Sequence, residues 1–280
     1  MVTSVSQVIQ TKLFKLLRKM KIGVIGAGFV GSAIINAHDQ DTLVIRDPAK
    51  GFNTPLSDFY DCDAIFVSVP SPQTKSGECD TSILEEVIDS LSFYTYGPII
   101  SKVTAPPSVY TKLQAKSINL VFAPEFLVAA KANMDYLYGK FSMIGGKSFT
   151  CVEKAEQVIR RGQKFLQDVA YCTIEEAALA KYTINSFLSL KVAYLNQIYE
   201  LANSLEINYN NVKDLIKLDA TRLGNSHFDV PGPDTYFGFG GACFPKDTAA
   251  LLFESQKHES ELSILKEAIV YNKLLRDDPL

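Results

Sequence analysis

The sequence predicts an α/β fold, a doubly wound parallel sheet followed by a mostly helical domain with one long helix, and three observations carry that prediction. Short apolar runs rich in β-branched residues recur along the first half, with helical or loop segments between them. A glycine-patterned turn follows the first run, and the second half holds a long stretch without glycine or proline.

The first run, Lys21-Ile22-Gly23-Val24-Ile25, enters Gly26-Ala27-Gly28-Phe29-Val30-Gly31, a G-x-G-x-x-G pattern that implies a strand, a tight turn and a helix. Gly26 permits the turn, Gly28 lets a pyrophosphate approach the backbone, and Gly31 lets the helix opened by Phe29 and Val30 pack on the strand. The sheet is therefore read as Rossmann-like. Leu43-Val44-Ile45-Arg46-Asp47 reads as a second strand ending in an acid 21 residues beyond Gly26, where an adenosine ribose needs a hydroxyl acceptor. Asp47 favours NAD over NADP because a carboxylate repels a ribose phosphate; neighbouring Arg46 pulls the other way, and an Asp before Pro48 is also an ordinary turn residue.

Further strands are predicted at 64–69, 99–103, 120–122 and 141–144. In such sheets ligands collect beyond the strand C-termini, so the residues to inspect are Val69-Pro70-Ser71-Pro72, Thr104-Ala105-Pro106-Pro107 and Pro124-Glu125-Phe126-Leu127. After Gly145-Gly146 the pattern turns helical: Val152 to Phe165 reads as a helix, and Thr173-Ile174-Glu175-Glu176 is a capping box opening a longer one. That helix runs from Ile174 to about Leu205, about 50 Å at the usual rise, a length that links domains or lies at a dimer interface. Asn208 to Asn211 interrupt it and a shorter helix follows from Val212. Three regions result: an N-terminal extension over 1–19, a dinucleotide-binding domain over 20–172 and a helical domain over 173–280.

Chemistry concentrates in Gly238-Phe239-Gly240-Gly241-Ala242-Cys243-Phe244-Pro245-Lys246-Asp247. A thiol attacks a carbonyl as thiolate, so a nucleophilic cysteine needs positive charge or helix N-terminal amides nearby; Lys246 supplies the charge and Asp247 can handle a proton. The bland alternative is a buried cysteine in a Gly/Pro loop. Lys181 and Asn185 lie four residues apart and so project from one helix face, a pair able to hold an oxyanion. The bland alternative there is a snorkelling lysine beside a solvated asparagine.

Composition fits a soluble enzyme: 280 residues, 47% hydrophobic and 21% charged, with a net charge of −3 that offers no footprint for nucleic acid. Five widely spaced cysteines without a CxxC pair suggest neither a disulfide framework nor a metal site, and point to a reducing cytoplasm. Residues 1–19 are basic and mildly amphipathic, without the apolar core of an export signal, and are read as disordered or as a misassigned start before Met20. No apolar stretch approaches the roughly 20 residues that span a bilayer.

The motifs together resemble the UDP-glucose/GDP-mannose dehydrogenase family. The shared blocks are GVIGAGFVG (23–31), VSVPSPQTKSGECDTSILEEVI (67–88), KVTAPPS (102–108), APEFL (123–127), AKYTINSFLSLKVAYLNQI (180–198) and GFGGACFPKD (238–247). The resemblance implies two NAD-dependent oxidations of a nucleotide-sugar alcohol, UDP-glucose being the commonest substrate, through a thiohemiacetal and thioester on Cys243. It implies that Lys181 and Asn185 stabilise the oxyanion, that Asp247 serves proton transfer with a water, and that Thr104 and Glu125 order that water. Thr104 and Lys246 would also meet the cofactor; Glu125, Phe126, Leu127, Gly240 and Arg222 would meet the substrate. A homodimer through the long helix is expected.

Three departures from the family pattern stand out. Ala129 occupies a position usually held by glutamate, Phe141 one where arginine is common, and the sequence ends where the family's linker leads into a third domain. A partner chain supplying that domain, a two-electron hydroxyacid or sugar-acid dehydrogenase, and a non-catalytic NAD-binding remnant are the alternatives these departures raise.

Overall fold

A computed structural model describes residues 19–38, 41–93 and 95–277. The N-terminal extension expected over 1–19 lies, but for Lys19, outside the described residues. The chain folds as two compact units: one of the residues up to Pro70 with Ser82–Val103 and Tyr110–Ala177, the other of Ser71–Thr81, Thr104–Val109 and the residues from Ala178 onward.

The first unit is built on one sheet of eight strands: β1 (Lys21–Ile25), β2 (Thr42–Asp47), β3 (Phe52–Asn53), β4 (Ala64–Val67), β5 (Ile99–Ser101), β6 (Leu120–Phe122), β7 (Phe141–Gly146) and β8 (Asp168–Cys172). Their spatial order is β3-β2-β1-β4-β5-β6-β7-β8. Pairing is parallel except for β2 with β3 and β6 with β7. The order reverses at β1, whose neighbours are β2 on one side and β4 on the other, and that switch point is where an open α/β sheet binds ligands.

Strands β4, β5 and β6 are buried throughout, which is why they read as continuous apolar runs rather than alternating ones. The edge strands are largely exposed and correspondingly mixed in sequence. Ile22, Val24, Ile34, Phe66, Ile100, Val121, Ile144 and Val158 form the core between sheet and helices. The helix expected over Val152 to Phe165 spans Phe149–Gly162, because Ser148 accepts from Cys151 N (3.4 Å) and so starts it a turn earlier.

One buried polar group in this unit gives stability a pH dependence. The His38 ring is fully buried with Nδ1 3.5 Å from Asp41 Oδ2, and Asp41 is itself held by Arg161 (2.6 and 3.3 Å). Burial pushes the His38 pKa down to about 4, against the opposing pull of Asp41. A base whose folded pKa lies below its unfolded value contributes stability that is complete above the unfolded pKa and lost as pH falls towards the folded one. Urea unfolding at pH 7.5 and pH 4.5 is expected to show a loss of roughly 3 kcal/mol from this group. His38→Leu should flatten that part of the profile; an equally steep profile in the variant would assign the effect elsewhere.

The helix Ile174–Ser204, whose residues from Ala178 belong to the second unit, matches the predicted span to within a residue, and its capping box is made: Glu176 accepts from Thr173 N (2.7 Å) while Thr173 Oγ1 accepts from Glu176 N (3.1 Å). Tyr209–Lys217 follows, beginning three residues earlier than predicted because Asn208 caps it through Asn210 N (2.9 Å). Ala220–Leu223, Phe244–Lys257 and Ser263–Asp277 complete the helices. Leu195, Ala202, Tyr209, Phe228 and Val230 form a core beside the long helix.

Candidate functional site

In the first unit the glycine turn is shaped by close backbone approaches. Gly26 has φ +88°, and a Cβ there would stand 2.5 Å from Ser68 O and 3.0 Å from Val69 N, at the end of β4 just before Pro70. A Cβ on Gly31 would stand 1.9 Å from Gly26 O, so helix and turn touch through that glycine. Gly28, by contrast, has nothing within 4 Å of its Cβ position. The helix Phe29–Ala37 opens there without a side-chain cap and without an acid in its first turn, leaving its first amides for an anion.

Of the two charged residues ending β2, the structure brings Asp47 to this turn. Asp47 Oδ2 accepts from Ala27 N (2.8 Å), and Lys50 donates to Ala27 O, whereas Arg46 donates to Thr54 O (2.7 Å) along its own hairpin. Beyond β6, Glu125 Oε2 accepts from Leu127 N (2.6 Å), and the Phe126 ring packs 4.7 Å from that of Phe141. Lys102, at the end of β5, is buried; burial pushes its pKa down to about 8, and the Glu125 carboxylate opposes the shift. No reading of the sequence singled it out.

In the second unit Cys243 is the N-cap of the helix Phe244–Lys257. Asp247, one turn on, is 1% exposed and accepts from Asn185 Nδ2 (2.6 Å) and from Lys246 Nζ (2.6 Å), while its own N–H donates to Cys243 O (2.8 Å). Lys181 and Asn185 are both buried, which removes the reading of a snorkelling lysine and a solvated amide. Asn185 keeps a second amide hydrogen after bonding Asp247, so it can still donate to an oxyanion. Ser71 Oγ (3.4 Å) and Cys79 Sγ (3.8 Å) both donate to Thr104 O, tying the segment Ser71–Thr81 to Thr104–Val109. Arg222 points outward, paired with Asp219 at 3.2 Å with its side chain 84% exposed, and the Arg276 guanidinium covers Gly240.

Sequence reasoning missed three residues here: Asn196, Asn272 and Arg276 each bond the backbone of the glycine loop ahead of Cys243. Nothing in the local sequence marked them, Asn196 being one of three asparagines on the long helix. Among the described residues, no group of three or more His, Cys, Asp or Glu is placed to hold a metal, and no helix is long and apolar enough to cross a membrane.

Comparison with known proteins matches residues 40–162 to the NAD binding domain of the UDP-glucose/GDP-mannose dehydrogenase family and residues 175–274 to that family's central domain. The chain belongs to the UDP-glucose/GDP-mannose dehydrogenase family. NAD is accordingly its cofactor, and the open Gly28, the uncapped helix start and the Asp47 carboxylate fit such a group.

A UDP-glucose 6-dehydrogenase of Rickettsia prowazekii (strain Madrid E) is 32% identical over 240 residues, covering 81% of this chain and 53% of the relative. A putative UDP-glucose 6-dehydrogenase of Bacillus subtilis (strain 168) is 29% identical over 290 residues, covering 88% and 66%. The chain thus spans about half the length of the first of these relatives. In fold it is similar to a UDP-glucose dehydrogenase of Pyrobaculum islandicum (TM-score 0.77, 21% identity, 92% of this chain and 68% of that one). It is also similar to a 3-hydroxyisobutyrate dehydrogenase of Mycobacterium tuberculosis (TM-score 0.73, 16% identity, 93% and 95%).

Proposed function

We propose that the chain oxidises the primary alcohol of a nucleotide sugar, UDP-glucose first among candidates, to the uronic acid by two NAD-dependent steps with the intermediate held on Cys243. The observation that carries this reading is the cluster in the second unit, where a cysteine at a helix N-terminus stands with a buried Asp247 bonded to Lys246 and Asn185. NAD, when bound, accepts a hydride at each oxidation.

The first oxidation turns the alcohol into an aldehyde. The Cys243 thiolate adds to the aldehyde carbon, giving a thiohemiacetal; the second oxidation gives a thioester, and water expels the thiolate and leaves the carboxylate. Lys181 and the remaining Asn185 amide hydrogen are positioned by one helix face to hold the oxyanion. Asp247 exchanges protons through a water, and Thr104 and Glu125 order that water, Ala129 contributing no second carboxylate. In this reading Gly26, Gly28, Phe29, Val30, Gly31, Asp47, Val69, Pro70, Thr104 and Lys246 hold NAD. Substrate is held by Glu125, Phe126, Leu127, Lys181, Asn185, Arg222 and Gly240.

We further propose a cytoplasmic homodimer through the long helix, supported by Phe187, Tyr194 and Leu201, which recur every seven residues and are 64%, 61% and 52% exposed. The second reading, a two-electron hydroxyacid dehydrogenase, is favoured by the near-complete overlap with the 3-hydroxyisobutyrate dehydrogenase fold.

The deciding experiment measures NADH formed per UDP-glucose consumed by the purified protein and by Cys243→Ala. Two NADH per sugar, lost in the variant, is the expected result. One NADH, insensitive to the substitution, would sink the thioester route and support the second reading; NAD binding without turnover of sugar nucleotides or hydroxyacids would point to the non-catalytic remnant.

A further inference from the structure

The loop that delivers Cys243 is held by side chains remote from it in sequence. Asn272 accepts with Oδ1 from Phe239 N (2.6 Å) and donates with Nδ2 to Phe239 O (3.0 Å), so one carboxamide satisfies both polar groups of a residue that is itself 3% exposed. Asn196, 2% exposed, accepts from Gly238 N (3.0 Å) and donates to Val192 O (2.8 Å), which fixes its own orientation. Arg276 donates from Nη2 to Gly238 O (3.1 Å) and from Nη1 to Asp234 (2.8 Å).

Two of the loop's glycines make room for this grip. A Cβ on Gly238 would lie 2.3 Å from Asn272 Oδ1, and a Cβ on Gly240 would lie 2.4 Å from Arg276 Nη2. Gly238 and Gly241 also sit at φ +72° and +75°, where other residues are strained. Gly238, Phe239 and Gly240 are thereby contacted from two helices, Ile174–Ser204 and Ser263–Asp277, the last of them three residues before the nucleophile. The long helix also carries Lys181 and Asn185, the latter about three turns from Asn196.

We propose that Asn196, Asn272 and Arg276 are positioning residues that set the backbone of Gly238–Gly240 and, through it, the reactivity of the Cys243 thiol. A thiol at a helix N-terminus is activated by amides whose effect fades within the first turn, so a loop free to shift loses part of that activation. The clamp deepens the reading of Cys243 as nucleophile and rests on it.

The test is the rate of Cys243 alkylation by iodoacetamide between pH 6 and pH 10, followed by the mass of the peptide containing Cys243, because Cys172 is also partly exposed. In Asn272→Ala, Asn196→Ala and Arg276→Ala the rate near neutral pH is expected to fall about tenfold and its pH midpoint to rise by about one unit. Arg276→Lys, which retains a donor, should restore most of the difference. Thermal melts establish that each variant is folded; should Asn272→Ala not fold, Asn196→Ala and Arg276→Ala leave both Asn272 bonds in place and carry the test. A folded variant of either whose alkylation profile superimposes on the wild type overturns the proposal. The alkylation needs no substrate, so a protein with an intact clamp but no dehydrogenase activity is distinguished from one in which the clamp itself is irrelevant.

Discussion

Asp247→Ala is expected to cost about 3 kcal/mol of stability and to abolish turnover, the two effects having separate causes. The carboxylate is 1% exposed and is the acceptor for both Lys246 Nζ and Asn185 Nδ2, each at 2.6 Å. Its removal leaves a buried amide without that acceptor and an ammonium, whose side chain is only 17% exposed, without its counter-charge. The cost falls at the lower end of the range for breaking a buried pair because Lys246 retains that solvent contact. Asp247→Asn separates the two effects. It keeps the shape and one acceptor oxygen but sets an NH2 against one of the two donors and leaves Lys246 without a counter-charge, so only part of the stability should return, while an amide cannot take up the proton and turnover should remain down by about two to four orders of magnitude. Urea unfolding and steady-state turnover on both variants decide it. Full turnover in a folded Asp247→Asn would remove Asp247 from proton transfer.

Much of this arrangement was legible in the sequence because it rests on local patterns. The central strands read as apolar runs since both faces are covered, and the long helix announced both its start, by the Thr173–Glu176 box, and its extent, by the absence of glycine and proline. Cys243 and its neighbours stood out because glycines and a proline crowd a thiol, a lysine and a carboxylate into ten residues. Strand direction was not legible: Phe141–Gly146 has the same composition whether it runs with or against β6, and the antiparallel choice is made by how the chain re-enters the sheet. Strand β8 was missed because an edge strand exposed at Asp168, Ala170 and Tyr171, on both faces, shows neither an apolar run nor a clean alternation. The passage of Ser71–Thr81 and Thr104–Val109 into the second unit leaves no mark on local periodicity. Asn196 and Asn272 were invisible for a related reason, since an asparagine on a helix declares its partner only when a loop from elsewhere in the chain is brought against it. Two glycines of that loop hold room for Asn272 and Arg276, a use that shows only once helices from elsewhere in the chain lie against it.

Gly31→Ala and Gly28→Ala, three residues apart in one motif, are expected to fail in opposite ways. At Gly31 the new methyl would stand 1.9 Å from Gly26 O and 2.9 Å from Ser68 Oγ, and the first of these is backbone that cannot rotate away. The helix Phe29–Ala37 would have to lift from the turn, and its buried Ala33 and Ile34 would move with it. Overpacking of this kind costs about 1–3 kcal/mol where side chains can adjust, so a backbone clash belongs at or above the top of that range. NAD affinity should fall with it, because the amides meant for the pyrophosphate move. At Gly28 the methyl meets nothing within 4 Å, so the melting temperature should hardly change. The same open space is what the cofactor's phosphates need, and calorimetric titration with NAD should show weakened binding to a protein that is otherwise intact. The contrast is the informative measurement: a stable Gly31→Ala would mean that the turn can open without cost, and a Gly28→Ala that binds NAD as tightly as the wild type would mean that the phosphates do not approach the backbone there.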